Sequence, residues 1–113
     1  MTSNYSAKTP LPPYYAVIFT SIRKEGADGY DQTSERMEEL VNANADCFGF
    51  ESFRNENGFG VTISYWKDDQ AIKGWKQNEE YQTAQQKGQA AWYSHYKLRI
   101  CKVERDYGFD EGL

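Results

Sequence analysis

The chain has 113 residues, a formal net charge of −4 and an aromatic content of 16%, led by tyrosine. That length makes one domain, with a core large enough to need no staples. The spread of acidic residues speaks against a nucleic-acid partner, which wants a basic stripe, and no run nears the roughly 20 apolar residues of a membrane span.

The N-terminus is polar and lacks the apolar stretch of a secretory signal, so a cytoplasmic location is expected. Cys47 and Cys101 are far apart and form no CxxC pair. In that compartment they read as reduced, half-buried thiols. The aromatic excess suits a large flat surface, packed either onto a partner or around a flat ligand. Composition does not choose between the two.

Residues 1–13 (MTSNYSAKTPLPP) are polar and then proline-broken, which predicts a flexible N-terminal arm. Tyr14 to Ile22 reads as a strand with apolar residues on both faces: Tyr15, Val17 and Phe19 on one, Ala16, Ile18 and Ile22 on the other. A glycine-bearing turn follows. Tyr30 to Ala45 is predicted to be an amphipathic helix, capped by Asp28 or Asp31. Its inner stripe runs through Tyr30, Ser34, Met37, Leu40, Val41 and Asn44 or Ala45, and reads as core.

Phe48 to Arg54 is a second strand. Asn55-Glu56-Asn57-Gly58 is hairpin chemistry, because Asn-Gly tolerates the positive φ such turns demand. Phe59 to Trp66 therefore pairs back antiparallel. It sends Phe59, Val61, Ile63 and Tyr65 one way and Thr62, Ser64 and Trp66 the other. An aspartate after Lys67 can cap the next helical segment, which carries Trp75, Tyr81 and Gln85 and breaks near Asn78. A last strand spans about His95 to Glu104. The domain runs 14–109, with 110–113 as a tail.

The order β-α-β-β-α-β predicts an α+β, ferredoxin-like fold: a four-stranded antiparallel sheet with both helices on one face. The strands are apolar on both faces, so the uncovered face wants a partner. A second copy of the chain, docked sheet to sheet, would cover it and make a homodimer.

The residues that carry chemistry are few. His95 is the only histidine, and a histidine near neutral pH suits a general base; it sits at a helix-to-strand junction, where backbone hydrogen bonding is the other use for it. Trp75, Tyr81 and Trp92 make an aromatic stripe at helical spacing, read either as a slot for a flat ring or as ordinary core. Gln85 lies one turn from Tyr81, placed to bond a ligand carbonyl or Tyr81 itself. Cys101 lies mid-strand with no base beside it in sequence, and no metal-ligand spacing is present.

The segments GFESFRNENGFGVTISYW, DDQAIKGWKQNEEYQTAQQKG and YKLRICKVERDYGF, with the phrase W-x-x-N-x-x-Y-x-x-A, give Tyr14 to Phe109 a resemblance to a family. The chain resembles the antibiotic-biosynthesis monooxygenase-like proteins of the dimeric α/β-barrel superfamily. The resemblance implies a homodimer with a pocket between sheet and helices in each subunit. It implies a cofactor-independent monooxygenase acting on a small aromatic or quinol-type substrate; on that reading Trp75, Tyr81, Gln85 and Trp92 are placed around the substrate, with His95 as the candidate base. The alternative is a non-catalytic dimer binding a small ligand on the same scaffold. The haem-cleaving branch has an Asn in the first strand and a His ten residues after the helix Trp. Here the Trp is Trp75, the His position holds Gln85, and YYAVIFTSI has no Asn. A glutamine amide is not a usual haem-iron ligand.

Overall fold

A computed structural model describes residues 6–26 and 29–111. Its elements are β1 (Tyr14–Arg23), α1 (Tyr30–Asn42), β2 (Cys47–Arg54), β3 (Phe59–Trp66), α2 (Asp69–Lys76), α3 (Glu79–Lys87), a π-helical turn (Gly88–Trp92) and β4 (Tyr93–Val103). The four strands form one antiparallel sheet in the order β2-β3-β1-β4. This is the ferredoxin-like arrangement that the strand and helix order predicts.

Local chemistry sets most boundaries. At the hairpin, the Asn55 side chain accepts from the N–H groups of Asn57 and Phe59, both at 3.0 Å. Gly58 supplies the positive φ of 88°. A Cβ there would meet the Arg23 carbonyl oxygen at 2.7 Å, so the turn needs glycine for space as well. Asp68 caps α2 by accepting from Ala71 N–H at 2.8 Å. The helical segment breaks at Asn78, whose side chain caps α3 at 3.0 Å from Tyr81 N–H.

Two expectations are corrected. Helix α1 stops at Asn42 rather than Ala45, because Asn44 turns the chain by accepting from Asp46 N–H at 2.9 Å. Its N-cap is Gly29, with no side-chain bond; Asp31 lies inside the first turn, and Asp28 lies outside the described residues. Where it is described, the N-terminal arm makes hydrogen bonds to the sheet. Ala7 N–H bonds Glu51 at 2.8 Å, and the Thr9 hydroxyl bonds that of Tyr14 at 3.1 Å. Tyr14 in turn donates to Asp106, so the arm and the segment that follows β4 meet on the outer face of the sheet. Residues 1–5 of the arm and 112–113 of the tail lie outside the described residues.

The sheet keeps its two-faced pattern. Ile18, Ile63 and Glu51 are register partners on the face away from the helices. The same face exposes Ile22, Phe59 and Phe53, at 39%, 52% and 69% of their surface. No helix among the described residues is long and apolar enough to cross a membrane. Both cysteines are free and half-buried, and burial pushes the Cys47 thiol up, away from thiolate character.

Candidate functional site

The inner stripe of α1 is not core. No residue of α1 or of α3 is buried, although both helices carry apolar residues at helical spacing. Tyr30, Ser34, Met37 and Val41 instead roof a cavity of about 280 Å³ between the helices and the sheet. Leu40 faces a separate outer cleft. The floor explains why the space stays open. Ser52, Thr62 and Ser64 stand on the helix-facing side of β2 and β3, where a filled core would have larger apolar groups. Their hydroxyls are used locally. Ser52 and Thr62 bond each other at 2.8 Å, and Ser64 accepts from the Trp66 indole N–H at 2.8 Å.

Aromatic rings wall the cavity at both ends. At one end Trp66 packs on Trp75, with centroids 5.9 Å apart, and Trp75 on Tyr81 at 5.2 Å. At the other, Tyr30 meets Trp92 at 5.7 Å and Tyr93 at 5.9 Å, both edge to face. Phe19 and Tyr96 extend that cluster along the sheet. Such rings suit a flat partner, and the volume is near the small end of ligand pockets, roughly 300–1,000 Å³.

Trp75, Tyr81, Gln85 and Trp92 all line this cavity, so the helical stripe is brought together as one wall. It is not one continuous helix. The chain breaks at Asn78 and passes through the π turn before β4, which places buried Trp92 against Tyr30. His95 is placed apart from them. It is exposed and pairs with Ile22 on the outer face of the sheet, away from the cavity. The last strand begins at Tyr93, two residues earlier than expected; His95 alternates with inward-facing Tyr96 and so points outward, while the register shift between Ile22 and Arg23 turns Tyr93 inward.

Four phenols, those of Tyr30, Tyr81, Tyr93 and Tyr96, are among the polar groups that line the cavity. Burial pushes the Tyr81 hydroxyl up, helped by Tyr96. Burial and the adjacent Tyr30 hydroxyl push Tyr93 up further, against the pull of Arg54 and Arg23. These two phenols keep their protons at neutral pH and serve as hydrogen-bond donors. Glu38 and Lys76 bring charge to the cavity wall from exposed positions. Among the described residues there is no group of three or more His, Cys, Asp and Glu side chains able to hold a metal ion.

Sequence reading missed Tyr93 and Arg54. Tyr93 reaches the cavity through a register shift in β4 opposite Ile22 and Arg23. Arg54 closes β2, and its guanidinium bonds the hydroxyls of Ser21 at 2.8 Å and Tyr30 at 3.3 Å. A strand-end arginine carries no sequence signal for either contact.

Known proteins share this fold. Residues 13–87 match the sequence profile of the antibiotic biosynthesis monooxygenase family. The chain is 44% identical over 108 residues to the "Uncharacterized protein YqjZ" of Bacillus subtilis (strain 168), covering 96% of this chain and 95% of that one. Its fold is similar to that of PA3566 from Pseudomonas aeruginosa, with a TM-score of 0.68, 17% identity, and coverage of 88% of this chain and all of the other. It is also similar to that of SnoaB, a cofactor-independent oxygenase from Streptomyces nogalater, with a TM-score of 0.70 over 82% of this chain and 95% of that one, at 8% identity. At those identities the likeness to solved structures is one of fold. The profile match spans β1 through α3, and with it most of the cavity wall; the chain belongs to the antibiotic biosynthesis monooxygenase family.

Proposed function

We propose that the protein is a homodimer whose cavity binds a small flat aromatic molecule and oxidises it with dioxygen, without a resident cofactor. The observation that supports this reading is the cavity itself. Two helices spend their apolar stripes on an aromatic-walled space instead of closing onto the sheet. Family membership and a fold shared with a cofactor-independent oxygenase point the same way.

In such a reaction the substrate supplies the electrons. An acidic quinol or anthrone gives a proton to solvent, and the carbon of the resulting anion takes up dioxygen as a peroxide anion that takes a proton back. The hydroperoxide so formed loses water and leaves a carbonyl; the carbon gives up four electrons, and one oxygen atom departs as water. The protein's part is to orient the ring between Trp75 and the Tyr93 cluster, exclude water, and donate hydrogen bonds to the developing oxyanion from its phenols. With His95 on the outer face of the sheet, this reading gives it no part in taking the first proton.

That absence of a cavity histidine favours a second reading, a non-catalytic ligand-binding dimer on the same scaffold. Oxygen uptake over a panel of quinols and anthrones separates the two. Catalysis gives uptake above buffer that falls in Trp75→Ala and persists in His95→Ala. Binding without uptake for every compound selects the second reading.

A further inference from the structure

Arg54 stands behind the Tyr30 and Tyr93 end of the cavity, in a place made for it. A Cβ on Gly60, across the hairpin on β3, would sit 2.8 Å from its Cζ and 3.0 Å from its Nη1. The guanidinium therefore occupies the room that this glycine leaves. One nitrogen donates to Gly58 O, and the other to the fully buried Ser21 hydroxyl and to Tyr30. The rings of Tyr30 and Tyr93 cover it at 5.7 and 5.8 Å.

All of these acceptors are neutral. Arg23, which lies 4.9 Å from the Tyr30 ring centre, has Asp31 at 3.9 Å, and Arg36 has Glu80 at 2.9 Å. Among the described residues, Arg54 has no carboxylate within 4.0 Å. A half-buried cation without a counter-ion raises the potential around it. Tyr30 accepts from Arg54 and so keeps its own proton to donate. Tyr93 lines the cavity beside it.

We propose that Arg54 is a positioning residue that makes this end of the cavity select an oxyanion, so the ligand is an aromatic anion such as a phenolate, enolate or aromatic carboxylate. The charged oxygen lies against the Tyr30 and Tyr93 hydroxyls, and the ring extends toward Trp75. This inference rests on the reading of the cavity as an aromatic-ligand site.

The test uses the full chain and two probes of similar shape, 4-nitrophenolate and neutral 4-nitroanisole, titrated by calorimetry and by the phenolate absorbance. The wild type is expected to prefer the phenolate by about tenfold or more and to lower the bound phenol's apparent pKa. Arg54→Gln loses that preference and the absorbance shift, while 4-nitroanisole affinity stays within about twofold. Arg54→Lys restores part of both. Gly60→Ala reports on the same group without altering it, because the new methyl displaces the guanidinium, and is expected to behave as Arg54→Gln; thermal melts confirm that each variant folds. A preference that survives both Arg54→Gln and Gly60→Ala overturns the inference, as does equal loss of both probes in folded variants. A wild type that binds both probes equally also overturns it, with the cavity reading intact. A wild type that binds neither probe overturns the cavity reading and this inference with it.

Discussion

Tyr93 and Tyr96 face the same side of β4, their ring centres 6.0 Å apart, although an odd number of positions separates them. Strict alternation would put them on opposite faces. The register shift in β4, where Arg23 pairs with Tyr93 and Ile22 with His95, leaves Ser94 as the extra residue and reverses the parity. The bulge thus gives the cavity Tyr93 while His95 stays outside.

The Tyr93 ring also depends on Gly88. A Cβ at Gly88 would lie 2.9 Å from two carbons of that ring. Gly88→Ala is expected to destabilise by about 1–3 kcal/mol, the usual cost of overpacking. Gly74→Ala in α2, where a Cβ meets nothing within 4 Å, is expected to stabilise by about 0.5–1 kcal/mol through helix propensity. Urea denaturation of the two variants checks the opposite signs.

Trp75 is a partition. It lines the cavity on one side and, on the other, the outer cleft that holds Leu40, Asp46 and Asp68. Trp75→Ala is expected to cost about 1–3 kcal/mol of stability, less than a fully buried tryptophan because this one is half-buried. It also joins the two spaces, so affinity for a one-ring aromatic falls while larger ring systems gain entry. Binding isotherms for a series of one- to three-ring phenols read this out, and a uniform loss across the series would show no joining of the spaces.

The outer face is expected to hold the homodimer together. Ile22, Phe53 and Phe59 are the large apolar residues exposed there. The wild type is expected to sediment at twice the chain mass of 13.1 kDa. Phe53→Asp combined with Phe59→Asp is expected to sediment as a monomer, because charges buried against a second copy have no partner. A wild type that is monomeric in dilute solution would remove the dimer from the reading.

Four tyrosines, Tyr14, Tyr65, Tyr81 and Tyr93, hold their protons above the ordinary value of 10.0, burial being the first cause for each. Glu51 adds to the effect at Tyr65 and Asp106 at Tyr14. The unfolded chain releases these protons from about pH 10, whereas the folded chain keeps them to higher pH. Stability from these groups is therefore complete below about pH 10 and falls as pH rises past it. Ultraviolet titration of tyrosinate, run beside circular dichroism, is expected to show a late-ionising group that appears together with unfolding.

Sequence alone determined the order of strands and helices, the hairpin at Asn55–Gly58, an aspartate cap just after Lys67, the break near Asn78 and the two-faced sheet. Each depends on alternation or on side-chain-to-backbone bonds a few residues apart, and a linear reading contains both partners. Tertiary structure alone decided that the α1 stripe roofs a cavity, that Tyr93 enters it, that His95 does not, and that Arg54 stands behind Tyr30. A cavity is the space left between residues distant in sequence, here opened by Ser52, Thr62 and Ser64 beneath helices that cannot reach them. One bulged residue is enough to reverse which face a side chain takes, and periodicity read along the chain carries no record of it.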